Sequence, residues 1–189
     1  MKKQKKPQYF VYLGGHHKNN GDWREEFNSV AMEMTRGLDI AVIGINPFDR
    51  KIDETNHEGI VGRDFSIIAD PRLTHIVLKS ADLGTVLSYG AACEKMFACF
   101  LNKPVILIGN PECNKVYSSG ACFSEWQHPF GHVLADATVA SVKDAVFWIV
   151  SGIIQPKPKK SWGERIKQLC EKHRFGQNGD IDPFDVDVE

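Results

Sequence analysis

Short β-rich runs alternate with helix-like runs along this sequence, and that alternation restricts the fold more than any other feature. The five strand-like runs, in chain order, are YFVYLGG, DIAVIGINP, RLTHIVLKS, KPVILIG and ADATVAS. Strands joined by right-handed helical crossovers pair in parallel within one sheet. The sequence therefore predicts an α/β protein with a doubly wound five-stranded parallel sheet, in a Rossmann-like or flavodoxin-like three-layer sandwich.

The first helix-like run, DWREEFNSVAMEMTRGL, has the periodicity of an amphipathic helix. Five of its apolar residues fall at i, i+4, i+7, i+8 and i+11, namely Trp23, Phe27, Val30, Ala31 and Met34. That spacing places them on one helix face, and Gly37 then ends the pattern. A polar stretch, FDRKIDETNHEG (48–59), is long enough for a functional loop, and GRDFSIIAD (62–70) predicts the next helix.

Composition and charge disfavour several classes of partner. The 189 residues include 23 basic and 24 acidic side chains, for a net charge of −1, so we expect no nucleic-acid polymer as a partner. No run approaches the roughly 20 apolar residues that cross a bilayer, so we expect no membrane contact and a cytoplasmic location. Five cysteines without a CxxC pair indicate reduced thiols.

Neither a metal nor a cofactor is expected. His128 and His132 have no cysteine or carboxylate around them at metal-ligand spacing. The glycine pair Gly14 and Gly15 does not form the GxGxxG fingerprint of a dinucleotide site. A small ligand that is neutral or anionic is the simpler expectation.

Changes in composition divide the chain into four parts. Residues 1–7 form a basic tail, and residues 8–154 form the α/β domain. Residues 155–175 are interpreted as a linker followed by a short amphipathic helix. Residues 176–189 are acidic and have the composition of a solvated tail.

Four segments in order carry a resemblance to a known family. They are YLGG after the first strand, RDFSIIAD (63–70), DLGTVLSYGAA (82–92) and NKPVILIG (102–109). Together they resemble the nucleoside 2-deoxyribosyltransferase family and the related nucleotide N-glycosidases. The resemblance implies action on the N-glycosidic bond of a nucleoside or deoxynucleoside, or of its 5′-monophosphate, without a cofactor.

The third segment matches the family pattern D-x-G-T-x-x-E-x-G-x-A, with one departure. Asp82, Gly84 and Thr85 match, but Ser88 occupies the position of the nucleophilic glutamate. The resemblance implies that Asp82 holds the sugar hydroxyls and that Asp64 donates a proton near the base. The catalytic candidates are therefore Ser88, Asp82 and Asp64, while a turn residue at 82 and a helix N-terminal charge at 64 are the alternatives.

Glu94 follows Ser88 by six positions and is not expected to replace the missing carboxylate. In an α-helix six residues turn by roughly 600°, a net 240°, and rise about 9 Å. A serine hydroxyl without a neighbouring base neither stabilises a cationic sugar nor forms a glycosyl ester well.

Substrate-binding candidates lie where strands are predicted to end. Gly14 and Gly15 would let a sugar or phosphate approach the backbone, or simply form a tight turn. Phe48 would stack on a base or anchor its loop, and Tyr12 would reach the cleft or pack in the sheet. With Gly84 and Thr85, these residues form the predicted binding set.

Three functions remain open from the sequence. The first is a deoxyribosyltransferase or N-glycosidase with an altered catalytic centre. The second is a non-catalytic nucleotide-binding protein, and the third is an active family enzyme whose glutamate was replaced by substitution. We also expect a homodimer or larger homo-oligomer, because the aromatic segment Asn114–Phe130 is long for a connection and the resembling family completes its sites between subunits.

Overall fold

The computed structural model describes residues 6–15, 23–49, 55–79, 89–109 and 135–172. The chain divides into two compact units, Met1–Lys157 and Pro158–Glu189. Within the described ranges, no helix has both the length and the apolar character needed to span a membrane.

The first unit is built on a five-stranded parallel sheet, as the alternating sequence predicts. Its strands are β1 (Gln8–Gly15), β2 (Ala41–Ile45), β3 (Leu73–Lys79), β4 (Val105–Ile108) and β5 (Ala137–Val139). All neighbouring strands pair in parallel, in the order β2-β1-β3-β4-β5. This is the flavodoxin-like order of a doubly wound sheet, so the predicted fold class is confirmed.

Helices follow four of these strands. They are α1 (Trp23–Met34), α2 (His57–Ala69), α3 (Tyr89–Phe100) and α4 (Val142–Ile154), with a 3₁₀ turn (Pro47–Asp49) after β2. The second unit contains α5 (Trp162–Lys172). Helix α2 begins at His57 rather than near Gly62, because the Asn56 side chain caps it by accepting a hydrogen bond of 2.9 Å from the Gly59 N–H.

One face of the sheet packs against α1 and α4. Val11 and Leu13 of β1 are buried there together with Phe27 and Ala31 of α1 and Ile149 of α4. The apolar face predicted for the first helix is therefore the face that packs on the sheet. This apolar contact accounts for much of the free energy of folding.

The other face packs against α2 and α3, whose own contact includes stacked aromatic rings. The rings of Phe65 in α2 and Phe97 in α3 lie 4.5 Å apart at 12°. Tyr12 lies between Val11 and Leu13 in β1, and side chains alternate along a strand. Tyr12 therefore points toward α2 and α3, away from the apolar core under α1 and α4.

The strand order fixes where a ligand crevice forms. β1 is an interior strand, and the chain passes from it to β2 on one side and then to β3 on the other. In a doubly wound sheet, ligands bind outside the carboxyl ends of strands at such a reversal. Here those ends are Gly14 and Gly15 of β1, which pair in register with Leu78 and Lys79 of β3.

Candidate active site

A tyrosine and a glutamate meet near the carboxyl end of β1. The Tyr12 hydroxyl donates a hydrogen bond of 2.8 Å to Oε1 of Glu94, which lies on α3. Tyr12 is fully buried, and Glu94 as a residue is partly buried. Oε2 of Glu94 is buried and accepts no hydrogen bond from any described residue. One carboxylate oxygen is thus held in place, while the other has no partner in the described part of the chain.

Gly14 provides the space that Glu94 occupies. A Cβ at position 14 would lie 2.5 Å from Oε2 of Glu94 and 2.7 Å from Cε1 of Tyr12. Gly15 has φ of +115°, and a Cβ there would lie 2.1 Å from the carbonyl oxygen of Lys79. Both glycines are therefore required by packing and backbone conformation, and their role toward a ligand stays a prediction.

Burial changes the ionisation of the Tyr12–Glu94 pair. Loss of solvent raises the pKa of Glu94 to about 7, and the negative charge of Asp64 acts in the same direction. The hydrogen bond from Tyr12 and the charges of Arg24 and Arg63 oppose this rise. Burial, followed by the charge of Glu94, also raises the pKa of Tyr12 well above its usual range. Tyr12 is therefore a hydrogen-bond donor at neutral pH, whereas Glu94 exchanges its proton near neutrality.

Asp64 is held by its neighbour in α2. The Nε atom of Arg63 donates to Oδ1 of Asp64 at 2.7 Å, and the two side chains are 8% and 13% exposed. This contact raises the pKa of Arg63. Asp64 is therefore an acceptor in an ion pair shielded from solvent, and it lies close enough to Glu94 to interact with its charge.

Phe48 lies beside two guanidinium groups near the carboxyl end of β1. The guanidinium carbons of Arg24 and Arg63 lie 5.0 Å and 5.4 Å from the centre of the Phe48 ring. Arg24 is fixed there because its Nε donates to the Leu13 carbonyl at 3.0 Å and its NH2 group donates to the Gly15 carbonyl at 3.1 Å. Phe48 remains 38% exposed. An aromatic ring and two positive charges therefore meet beside the end of β1.

Five of the predicted site residues are described, and they lie in one region. Those residues are Tyr12, Gly14, Gly15, Phe48 and Asp64. The other four lie outside the described residues, namely Asp82, Gly84, Thr85 and Ser88. The same is true of the segment 114–130 that the sequence assigns to a subunit interface.

Sequence reasoning missed three residues of this cluster: Arg24, Arg63 and Glu94. Helix geometry turns Glu94 away from position 88, but it contains no information about the partner of Glu94 on β1. A signal was present in YGAACEKMFACF, because Glu94 interrupts a largely apolar helix that packs on a buried sheet. The two arginines had no comparable signal, since charged residues on helices are usually solvated.

The described residues form no cluster of three histidine, cysteine, aspartate or glutamate side chains able to hold a metal ion. Cys93 and Cys170 are free thiols. His128 and His132 lie outside the described ranges.

A surface cleft of about 420 Å³ lies elsewhere, beneath α2 at the edge of the sheet. Its lining residues are Phe10, Ile45, Ser66, Ile67, Asp70, Arg72 and Leu73. None of the residues around Glu94 contributes to it. The chemically distinctive groups therefore lie at the strand ends and not in this cleft.

Fold and site together define a doubly wound α/β protein with a buried Tyr12–Glu94 pair near the carboxyl end of β1. No family model matches the chain, and a search of curated proteins gave no significant match. Among solved structures, a conserved protein from Enterococcus faecalis V583 is similar with a TM-score of 0.52 and 16% identity, over 76% of this chain and 98% of that one. At this identity the likeness shows the fold alone.

A second solved structure is more distant. A 3-dehydroquinate dehydratase-like protein from Bifidobacterium longum is 14% identical with a TM-score of 0.41, over 78% of this chain and 94% of that one. A similarity this low contributes nothing to the assignment of function.

Proposed function

We propose that this protein binds a nucleoside, a deoxynucleoside or its 5′-monophosphate and acts on the N-glycosidic bond. The observation that carries the proposal is the position of the Tyr12–Glu94 pair and of Asp64 next to the carboxyl end of β1. The sequence resemblance to nucleoside 2-deoxyribosyltransferases supports the same chemistry. Two of the segments that carry this resemblance, YLGG and RDFSIIAD, contain Tyr12 and Asp64 respectively.

Cleavage of an N-glycosidic bond has two physical requirements that the cluster suits. The sugar acquires oxocarbenium character, which a nearby carboxylate stabilises, and the departing base leaves more readily when it receives a proton. Asp64 is held as a hydrogen-bond acceptor by Arg63, whereas burial raises the pKa of Glu94 to about 7. Two carboxyl groups in different environments can divide negative charge and proton transfer between them.

The groups around Phe48 suit the remaining parts of a nucleotide. An exposed aromatic ring offers a stacking surface for a base, and guanidinium groups attract phosphate. Arg24 and Arg63 both lie within 5.4 Å of the ring centre. We therefore propose that the base lies near Phe48 and Asp64 and that a 5′-phosphate strengthens binding.

The second candidate function is nucleotide binding without catalysis, and Ser88 favours it. A protein that retains the crevice but has serine at the nucleophile position would bind its ligand without forming a glycosyl ester. Substitution of the glutamate in an otherwise active enzyme would give the same sequence. Base release separates the first candidate from the second, and the codon at position 88 in the source genome tests for a substitution.

Calorimetry with a panel of nucleosides and 5′-monophosphates tests this proposal, combined with chromatography for released base. We expect binding of at least one deoxynucleoside or its monophosphate, and weaker binding after Phe48→Ala. Met32→Ala, which removes an exposed apolar side chain from α1, is the matched control and should leave binding unchanged. Failure of every compound to bind at millimolar concentration would overturn both candidate functions.

A further inference from the structure

The two carboxyl groups of the candidate site differ in how their oxygens are used. Asp64 presents Oδ1 to the Nε atom of Arg63 at 2.7 Å. Glu94 presents Oε1 to Tyr12, while its buried Oε2 has no hydrogen-bond partner among the described residues. A buried polar atom without a partner is costly, so it indicates a group that a ligand or a proton completes.

We propose that Glu94 is the acid–base catalyst of this site and that its Oε2 delivers a proton to the departing base. This inference rests on the proposed function. The sequence resemblance gives the proton-donor role to Asp64, whereas here the donor is Glu94, to which the resemblance gives no role. Tyr12 acts as a positioning residue, because its hydroxyl donates to Oε1 and fixes the carboxyl group beside Gly14.

The hydrogen bond determines which oxygen carries the proton. Tyr12 is a donor, so Oε1 must be the accepting oxygen in the neutral carboxylic acid as well as in the carboxylate. The proton of the neutral acid therefore resides on Oε2. That oxygen packs against Gly14 near the carboxyl end of β1, where a Cβ would lie 2.5 Å from it.

Charges from each neighbouring element keep both forms of Glu94 accessible. Desolvation and Asp64 of α2 favour the neutral form, whereas Tyr12 of β1, Arg24 of α1 and Arg63 of α2 favour the ionised form. The resulting pKa of about 7 suits a group that gives and recovers a proton in each cycle. Oδ1 of Asp64 instead accepts the hydrogen bond from the Nε atom of Arg63.

The reaction balances with water as the second reactant. The Oε2–H bond breaks and its proton passes to a nitrogen of the base, while the C–N bond breaks and its electron pair leaves with the base. The oxygen of a water molecule then bonds to the anomeric carbon. One proton of that water passes to the Glu94 carboxylate, which restores the acid and leaves free base and free sugar.

Nucleosides whose base is already cationic test this role, because such a base leaves without needing a proton. The probes are 2′-deoxyadenosine and 2′-deoxyguanosine, each compared with its 7-methyl cation after subtraction of spontaneous release. We expect Glu94→Gln to lower release from the neutral probes by about a hundredfold or more and from the cations by less than about tenfold. Glu33→Gln, an exposed glutamate of α1, is the control and should change neither rate.

The unmodified protein supplies a second measurement that needs no variant. With the neutral probes, base release should fall as pH rises through about 7, because the ionised form of Glu94 has no proton to give. Release from 7-methyl-2′-deoxyadenosine should not fall in this pH range. The same fall in the pH–rate profiles of both kinds of probe would contradict a proton-donor role even if Glu94→Gln failed to fold.

The outcomes separate this inference from the function on which it rests. Equal losses for neutral and cationic probes, or no loss in Glu94→Gln, overturn the inference while leaving N-glycosidase activity in place. Binding without release of base from any probe also overturns it and favours the non-catalytic candidate. Absence of binding across the whole nucleoside and nucleotide panel overturns the proposed function itself.

Discussion

The hydroxyl of Tyr12 and the carboxyl group of Glu94 are joined by a 2.8 Å hydrogen bond across 82 residues of sequence. This bond connects the interior strand β1 to α3 close to the reversal of strand order. It places an ionisable group with a pKa of about 7 where doubly wound proteins bind ligands.

Removing the Tyr12 hydroxyl should affect both stability and ionisation. Tyr12→Phe leaves Oε1 of Glu94 without its donor, so we expect a loss of about 1 kcal/mol or more in the free energy of unfolding. The hydrogen bond lowers the pKa of Glu94, so its loss should raise that pKa above about 7. Urea unfolding and a carboxyl ¹³C titration measure the two effects. Tyr9→Phe, on the same strand but packed with the opposite core, should change neither.

The free energy of unfolding should decrease as pH rises from about 4.5 to about 7. The pKa of Glu94 is 4.5 in its ordinary state and about 7 in the folded protein, so between these values the folded state binds more protons. Stability from this group is complete below the lower value and is lost as pH rises through the upper one. The full effect is on the order of 3 kcal/mol. Urea titrations across this pH range should show the decrease in the wild type. In Glu94→Gln the part of the decrease that comes from the Glu94 carboxyl group should be absent.

Gly14→Ala should destabilise the protein because three groups already occupy the space of a side chain. A Cβ there would lie 2.5 Å from Oε2 of Glu94 and 2.6 Å from Cδ2 of Leu78, so we expect a loss of about 1–3 kcal/mol. Gly62→Ala on α2 meets no atom within 4 Å and should gain roughly 0.5–1 kcal/mol through helix propensity. Equal stability of the two variants in thermal unfolding would contradict the packing described for Gly14.

Restoring a carboxylate at position 88 should accelerate base release. Ser88→Glu supplies the nucleophile that the resembling family has at this position, so we expect an increase of about a hundredfold or more, equivalent to roughly 2.7 kcal/mol of activation free energy. Chromatography of free base from deoxynucleosides and their monophosphates measures it. A lower rate in the variant would show that position 88 is not a vacant nucleophile site.

Light scattering should give the mass of a homodimer or a larger closed assembly. The expectation comes from the long aromatic segment Asn114–Phe130 and from the shared sites of the resembling family. Replacing Trp126 by serine should shift the protein toward a monomer if this segment lies at the interface. A monomer of the unsubstituted chain at working concentration would contradict the expectation.

The fold could be predicted from the sequence because local patterns determine it. The apolar strand-like runs and the helical periodicity of α1 give an alternating β–α order. Right-handed crossover connections between parallel strands then restrict the topology. The start of α2 was missed because its first turn is polar, and only the cap formed by Asn56 marks it.

The site could be predicted only in part, for a different reason. Tyr12, Gly14 and Asp64 belong to segments that resemble a family, whereas Glu94 depends on a contact between distant parts of the chain. Helix geometry gives the rotation between positions 88 and 94, but not the buried hydroxyl that Glu94 meets. Tertiary packing therefore supplied the partner of Glu94, which no local pattern contained.

The most direct test of the account is a ¹³C titration of the Glu94 carboxyl group with and without deoxyadenosine 5′-monophosphate. Comparison with Glu94→Gln assigns the resonance. We expect a midpoint near 7 in the free protein, and a displaced midpoint when the nucleotide is present. A midpoint near 4.5, the ordinary value, that the nucleotide leaves unchanged would contradict both the buried Tyr12–Glu94 pair and its place in the ligand site.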